Sequence, residues 1–410
     1  MEYKKLYKAK NFNIASSILR IIDNMKKISL IADFGSSGGT RTYFKQLINY
    51  FSLHHNENCI ETVYVFLTKE QYDSEIKEIL SASAVFFPII LPKIFQFTII
   101  SKIFRKIKLL DWYEFILEKL TIKKILKLNP DAMIFSIGNS TKYLYALTKK
   151  IPALFISHTL IQNSPVNKPY RKKIYVQIKN QCHPASRLCS VSEKGKKLYE
   201  QYMPLKTSLY TTLLNHGGSS ADLVIKKEHN GIIILTLGLL ASFKNPDLWL
   251  NVAKEITDSF VQQNKQPPQF IWAGEGTYYE RLKNEAKNYV NITFLGFVKD
   301  TQRLYSIADI YVQPSTTENC CLSVIEAMKY GLPCVVSNVG GLPEQIENKK
   351  NGYLCKYDEQ KQFKVAIIRL IEDKKLRDIY GKNGRNIFEK KYTQEQWNTA
   401  LQNLLRTILS

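Results

Sequence analysis

Two glutamates, Glu318 and Glu326, stand on either side of a predicted junction between a loop and a helix. Residues 308–315 predict a buried strand that ends at a proline, and residues 322–330 predict a helix that ends at a Gly-Leu-Pro turn. The first amides of a helix have no partner within it, so such an N-terminus stabilises an anion such as a phosphate. A carboxylate in the loop can orient a polyol or stabilise positive charge, and one further along the helix can accept hydrogen bonds from ribose hydroxyls. The alternative is a capping acid followed by a solvated helix residue.

Three other segments carry residues suited to the same chemistry. Lys244 lies in a predicted strand-to-helix loop, where its ammonium could neutralise a departing diphosphate, although it can also be one exposed lysine among many. Gly38 and Gly39 belong to a glycine-rich turn that lets a substrate approach the backbone, or is simply a tight turn. This turn lacks the Gly-x-Gly-x-x-Gly spacing of a dinucleotide site. His158 follows a predicted strand and is either structural or directed at a ligand.

An α/β framework is predicted to position these residues. Short β-rich runs alternate with helical stretches, which indicates parallel sheets. A cluster of glycines and serines near residues 215–220 breaks the pattern, and a second series of strands begins at residue 231. The predicted parts are an N-terminal extension over 1–25, a first Rossmann-like domain over 26–220, a second over 221–392, and a C-terminal amphipathic helix over 393–410.

Composition narrows the class of protein. The chain has 410 residues, 45% of them apolar, which suffices for two packed cores. Its seven cysteines show no Cys-x-x-Cys spacing, so reduced thiols in the cytoplasm are expected. We find no signal-peptide pattern and no run of 18 uncharged apolar residues, so no membrane-spanning segment is expected.

The net charge of +22 predicts attraction to a polyanion. Because the sequence shows no zinc knuckle, aromatic RNP-type motif or basic arm, a nucleic-acid partner is not expected. Residues 85–128 instead mix apolar rings with lysines, as in a helix at an anionic membrane surface, which would place the protein at the inner face of the membrane. The alternative is an ordinary amphipathic helix packed on its own domain.

The sequence resembles the retaining family 4 glycosyltransferases, which have the GT-B fold of two Rossmann-like, parallel-sheet domains facing each other across a cleft. Five segments carry the resemblance in the family's order. They are residues 272–276, 292–298 and 304–310, the paired glutamates, and residues 331–344. The resemblance implies transfer of a sugar from a nucleotide-diphosphate donor to a glycan or lipid-linked glycan acceptor, with retained anomeric configuration, in cell-surface polysaccharide biosynthesis.

The same resemblance implies that the C-terminal helix over 393–410 crosses back to the first domain. It also implies roles for individual residues. Glu318 would face the donor sugar as nucleophile or stabiliser, and His158 and Lys244 would complete the catalytic group. The implied donor-binding residues are Gly38, Gly39, Gly296, Phe297, Val298, Asn319, Cys320, Cys321, Leu322 and Glu326. Within that set, the backbone of 296–298 would contact the base, Glu326 the ribose, and the amides of 319–322 the phosphates. No metal or cofactor is expected, because Lys244 and the helix dipole would replace a cation.

Two positions depart from the family pattern. Leu239 stands where the family has a second diphosphate-binding cation, an arginine, and Cys321 stands where many relatives have glycine or proline. The first departure favours an alternative function, a non-catalytic GT-B partner protein that binds a nucleotide sugar. A sugar-nucleotide epimerase is a further alternative. Nucleotide binding without turnover would support the first alternative, and epimer formation without an acceptor would support the second.

Overall fold

The computed structural model describes residues 25–33, 39–67, 77–81, 83–90, 110–137, 143–161, 169–222 and 228–410. These residues form two parallel sheets with helices packed on both. This is the two-sheet α/β architecture that the sequence predicts.

The first sheet has seven strands in the order β3-β2-β1-β4-β5-β6-β7, and neighbouring strands pair in parallel. Its strands are β1 (Lys26–Asp33), β2 (Ile60–Leu67), β3 (Phe86–Ile90), β4 (Ala132–Ile137), β5 (Ala153–Ser157), β6 (Arg187–Ser190) and β7 (Tyr210–Thr212). Aliphatic runs such as that of β5, which is buried along its whole length, form these strands because helices cover both faces of a parallel sheet.

The second sheet has six parallel strands in the order β10-β9-β8-β11-β12-β13. Its strands are β8 (Ile233–Leu237), β9 (Gln269–Ala273), β10 (Ile292–Gly296), β11 (Ile310–Gln313), β12 (Cys334–Ser337) and β13 (Gly352–Cys355). The last strand of the first sheet ends at Thr212 and the first strand of the second begins at Ile233. The chain therefore passes between the sheets within the region where its glycine and serine residues cluster.

Most of the helices lie between successive strands, and the last three follow the final strand. In the first half of the chain they are α1 (Gly39–His54), α2 (Lys77–Ser81), α3 (Leu110–Leu126), α4 (Pro169–Gln181) and α5 (Glu193–Tyr202). In the second half they are α6 (Pro246–Gln262), α7 (Tyr279–Glu285), α8 (Thr301–Ile307), α9 (Leu322–Lys329), α10 (Leu342–Gln345), α11 (Gln360–Glu372), α12 (Lys374–Lys391) and α13 (Gln394–Leu409).

The C-terminal helix α13 packs on the first sheet although it follows the second in sequence. Its buried residues Trp397, Leu401, Leu405 and Ile408 belong to the same apolar cluster as strands β1, β2 and β5. The crossing is held by backbone hydrogen bonds to the linker, from Gly217 to Tyr392 at 3.1 Å and from Gln394 to Gly218 at 2.9 Å. The two chain passages between the sheets therefore run side by side.

The described parts of the segment 85–128 are a strand and a helix, not one continuous helix. Phe86–Ile90 is an edge strand paired with β2, residues 91–109 lie outside the described residues, and Leu110–Leu126 is a helix. That helix buries Ile122 and Ile125 against the first sheet. The strand forms because its residues complete a sheet, a contact between distant segments that a local pattern does not show. No helix within the described ranges is both long and apolar enough to cross a bilayer.

Candidate active site

The predicted loop-to-helix junction is present after strand β11. Glu318 lies in the loop that leaves this strand, and Glu326 lies on helix α9, which begins at Leu322. The loop path depends on Gly340 and Gly341. Gly340 has a φ of 55°, and a Cβ on it would lie 1.7 Å from the carbonyl oxygen of Glu318. A Cβ on Gly341 would lie 1.8 Å from the carbonyl oxygen of Asn319. Two glycines from the loop after β12 therefore allow the close approach that positions Glu318.

Glu318 forms an ion pair with Lys244. The Lys244 Nζ donates to Oε1 of Glu318 at 2.5 Å, and the two side chains are 12% and 11% exposed. Ser315 Oγ donates a second hydrogen bond to the same oxygen at 2.8 Å. Burial favours the neutral amine and is the largest single influence, but the charge of Glu318, its hydrogen bond and the nearby Cys321 together outweigh burial and hold the pKa of Lys244 above its ordinary value. Lys244 is therefore a cation at neutral pH.

Glu326 is held by Tyr305 of helix α8. The Tyr305 hydroxyl donates to Oε2 of Glu326 at 2.8 Å. Burial raises the pKa of Glu326, and the hydrogen bond from Tyr305 opposes this shift. Burial also raises the pKa of Tyr305, so its phenol remains a donor at neutral pH. One oxygen of the Glu326 carboxylate is thus held by Tyr305, and the other oxygen can accept a hydrogen bond from a ligand.

His158 follows strand β5 and is uncharged at neutral pH. Its Nε2 lies 2.9 Å from Ser136 Oγ on strand β4, and its ring meets the edge of the Tyr43 ring at a centroid distance of 4.3 Å. Burial lowers the pKa of His158 to about 4. The imidazole can therefore donate or accept a hydrogen bond but does not supply positive charge.

These side chains meet in one cavity of about 680 Å³ at the carboxyl ends of strands from both sheets, where ligands bind in α/β folds. The predicted site residues that line it are Gly39, His158, Lys244, Glu318, Asn319, Cys320, Cys321, Leu322 and Glu326. Leu239, at the position of the family's arginine, also lines it and is 40% exposed. The structure thus brings together residues that are far apart in sequence.

Two residues of the predicted phosphate loop form hydrogen bonds with other parts of the chain. The amide of Cys321 donates to Oε1 of Gln345 at 3.1 Å, so it is not available to a phosphate in this structure. The side-chain oxygen of Asn319 accepts from Ser192 Oγ at 2.5 Å, which ties the loop to the first domain. The amides at the start of α9, beginning with Leu322, remain without a partner within the helix.

Of the predicted donor-binding residues, one is not described and three do not line the cavity. Gly38 lies outside the described residues. Gly296, Phe297 and Val298 do not line the cavity, and Phe297 is 65% exposed. The reason is topological, because Gly296 ends β10 and the other two follow it, and β10 is the edge strand, two strands away from β8. Their contact with a nucleotide base stays a prediction.

The cavity also contains residues that the sequence did not single out. They include Thr42, Thr159, Asn215, Thr301 and Ser323. Thr42 could have been found from its place one turn into the helix after Gly39, and Ser323 from its place in the first turn of α9. Asn215 carries no such signal, since it sits in the linker between the sheets. Within the described ranges, no three or more His, Cys, Asp or Glu side chains are grouped to hold a metal ion.

Residues 222–387 match the model of a protein family described as glycosyl transferases group 1. The matched residues are those built on the second sheet. The match includes Lys244, Glu318 and Glu326, and it ends before helix α13. The first sheet contributes His158 and Gly39 to the same cavity from outside the matched residues.

Curated relatives align with part of the chain. The UDP-Gal:alpha-D-GlcNAc-diphosphoundecaprenol alpha-1,3-galactosyltransferase of Escherichia coli is 29% identical over 174 residues, which are 41% of this chain and 44% of that enzyme. The chain thus spans less than half of that relative. Alpha-monoglucosyldiacylglycerol synthase of Acholeplasma laidlawii is 26% identical over 314 residues, or 69% of this chain and 77% of that enzyme.

Solved structures resemble nearly the whole chain. The HepE protein of Anabaena in complex with UDP superposes with a TM-score of 0.64 at 16% identity, covering 93% of this chain and all of the other. Likeness at this identity establishes a shared fold. The two parallel sheets with their connecting helices are therefore the GT-B fold.

Proposed function

We propose that the protein is a retaining glycosyltransferase that moves a sugar from a nucleoside-diphosphate donor to a glycan or lipid-linked glycan acceptor. One observation carries the proposal. The Lys244–Glu318 ion pair, the Glu326 carboxylate and the N-terminus of α9 line a single cavity, and His158 enters it from the other sheet. A diphosphate, a ribose and a sugar would each find a complementary group there.

The donor would lie along the second sheet. The first amides of α9 and the Lys244 ammonium would receive the diphosphate, and Glu326, oriented by Tyr305, would accept the ribose hydroxyls. HepE was crystallised with UDP, and the Escherichia coli relative is named for UDP-Gal. Uridine diphosphate sugars are therefore the first donors to test.

Bond cleavage would depend on electrostatics in the closed cavity. Lys244 would stabilise the negative charge that develops on the departing diphosphate, and Glu318 would stabilise positive charge on the sugar or attack it as a nucleophile. Exclusion of water by the two domains would limit hydrolysis of the donor. Because a lysine and a helix terminus supply the positive charge, no metal ion is required, and addition of EDTA is expected to leave the rate unchanged.

The acceptor side is proposed from the relatives and from charge. One relative is named for a diphosphoundecaprenol-linked acceptor and another for a glycosyldiacylglycerol, both of them lipids. A role in assembling cell-surface polysaccharide at the cytoplasmic face of a membrane fits these names and the net charge of +22. Sedimentation with anionic liposomes tests the membrane contact, and recovery of all the protein in the supernatant would contradict it.

The test of the proposed function begins with thermal unfolding of the parent and of Glu326→Ala in the presence of nucleoside diphosphates and their sugar conjugates. A ligand well above its dissociation constant stabilises the folded state by a few kcal/mol. We expect one nucleotide to stabilise the parent and to have a much smaller effect on Glu326→Ala. Glu372→Ala, which changes an exposed glutamate on α11, is the matched control and should behave as the parent.

Transfer of labelled sugar from the stabilising donor then tests catalysis. The expected product keeps the anomeric configuration of the donor, as measured by NMR, and Lys244→Ala should lower the rate at least about hundredfold through loss of charge stabilisation. Nucleotide binding without transfer to any acceptor would favour the non-catalytic partner protein, for which Leu239 in the cavity is the supporting observation. Epimer formation in the absence of acceptor would favour the epimerase.

A further inference from the structure

Three polar side chains are buried behind Glu318. Tyr311 and Gln313 belong to strand β11, Ser315 follows it, and all three are 0% exposed. Strand β11 lies between β8 and β12 inside the second sheet. Polar groups at such positions destabilise a fold unless they are hydrogen-bonded, so their partners indicate what they do.

The hydrogen bonds orient the amide of Gln313. The Tyr311 hydroxyl accepts from the Leu237 amide at 3.3 Å and lies 2.9 Å from Oε1 of Gln313, to which it donates. The Cys321 thiol is a second, weaker donor to Oε1 at 3.8 Å. Burial raises the pKa of Tyr311, so the phenol keeps its hydrogen. Because donors face Oε1, the NH₂ group of Gln313 must point the other way.

That NH₂ group faces Ser315. Nε2 of Gln313 donates to Ser315 Oγ at 2.9 Å, and Ser315 Oγ donates its single hydrogen to Oε1 of Glu318 at 2.8 Å. Lys244 donates to that same oxygen. Within the described part of the chain, Oε2 of Glu318 receives no side-chain hydrogen bond. One oxygen is held by the protein and the other is left for the cavity.

We infer that Tyr311, Gln313 and Ser315 form a directed hydrogen-bond chain that positions Glu318 for the reaction. They are positioning residues, since none of the three lines the cavity. The chain holds the carboxylate against Lys244 and presents Oε2 to the sugar. The inference rests on the proposed function for its kinetic consequence, but the geometry it predicts for Glu318 does not depend on turnover.

Ser315→Ala removes the donor next to Glu318. We expect kcat to fall about tenfold to hundredfold, the effect of losing one hydrogen bond to a charged group, with KM for the donor within about threefold of the parent. Ser306→Ala is the matched control, because Ser306 is also buried and its Oγ donates to the backbone oxygen of Arg303 at 2.8 Å, outside the cavity. An unchanged kcat in Ser315→Ala, or an equal loss in both variants, would overturn the inference.

Gln313→Glu tests the direction of the chain. An ionised carboxylate at this position accepts the Ser315 hydrogen and withdraws it from Glu318, whereas a protonated carboxyl donates to Ser315 as the amide does. The kcat of the variant relative to the parent should therefore fall about tenfold as pH rises from about 5.5 to about 8.5, because burial raises the pKa of a carboxyl into this range. A merely structural role predicts a ratio that does not change with pH, and that result would contradict the chain.

Crystal structures of the parent and of Ser315→Ala separate this inference from the proposed function. If the parent transfers no sugar to any acceptor, the proposed function fails, and the position of Glu318 still decides the inference. We expect the carboxylate to leave its contact with Lys244 in the variant. A Glu318 side chain that superposes on the parent would overturn the inference, whatever the activity.

Discussion

At the scale of single residues, the surroundings of His158 decide its charge. The imidazole is packed against the Tyr43 ring and the Ser136 hydroxyl, neither of which is charged. Burial therefore acts unopposed and lowers its pKa from 6.5 to about 4. The position of His158 after a strand could be predicted from sequence, but its protonation state could not, because Tyr43 and Ser136 come from other elements.

This pKa difference makes the stability of the protein depend on pH. Above about pH 6.5 the imidazole is neutral in both the folded and the unfolded protein, so it does not contribute to the pH dependence of stability. Below that value His158 is protonated in the unfolded chain but stays neutral in the folded protein. The free energy of unfolding therefore falls as pH decreases, by up to about 3 kcal/mol near pH 4. His158→Gln should lose this part of the dependence, as measured by urea unfolding between about pH 4 and pH 7.5.

The comparison is made between parent and variant at each pH, because carboxylates also titrate over this range. The stability difference between the two proteins should shift in favour of the variant as pH falls. A difference that stays constant across the range would show that the folded protein accommodates a charged His158.

At the scale of elements, the loop that carries Glu318 is shaped by a second loop. Gly340 has no side chain and adopts a left-handed φ of 55°. The amide of its neighbour Gly341 donates a hydrogen bond to the Glu318 carbonyl oxygen at 3.1 Å. A pair of adjacent glycines such as Gly340 and Gly341 is typical of a turn. That this turn lies against the Glu318 loop follows from strands β11 and β12 pairing side by side.

Gly340→Ala should displace the Glu318 loop. The new Cβ would lie 1.7 Å from the Glu318 carbonyl oxygen, and the left-handed backbone adds about 1 kcal/mol of strain. We expect a lower melting temperature together with loss of the nucleotide-induced thermal shift. Gly384→Ala is the control, because its Cβ would meet Met328 at an ordinary contact distance of 3.6 Å. Equal behaviour of the two variants would mean that the loop is not held by this contact.

At the scale of the whole molecule, the two sheets are joined by more than the linker. Asn319, beside Glu318, bonds to Ser192 of the first domain, and Glu344 accepts from the amides of Glu193 and Lys194 at the start of α5, at 2.9 and 2.6 Å. Helix α13 returns to complete the core of the first sheet. The first domain therefore depends on the last residues of the chain.

Leu401→Ala should destabilise the first domain although the residue lies near the C-terminus. Leu401 is fully buried among residues of the first sheet, and such a truncation costs about 2–5 kcal/mol. Hydrogen exchange should show lost protection in strands β1 and β2. Leu370→Ala on α11, equally buried in the second domain, should instead affect strands of the second sheet. Loss of protection in the second sheet for both variants would refute the assignment of α13 to the first core.

Local sequence patterns predict many of the strands and helices of this protein. Alternation of apolar runs, prolines and glycines marks most strands and helices, and the junction between Glu318 and Glu326 follows from a strand, a proline and a helix that are close in sequence. The edge strand β3 was missed, because an edge strand is defined by its partner β2 rather than by its own residues.

The hydrogen-bond partners within the site belong to tertiary structure. Tyr305 holds Glu326, Gln345 occupies the amide of Cys321, and Asn319 turns toward Ser192 of the other domain. Such contacts join residues that are distant along the chain, and no local periodicity encodes them. The sequence alone determines which kinds of chemical groups can line the cavity. Tertiary packing decides which of their atoms already form hydrogen bonds, which groups are charged, and which atoms remain free for a substrate.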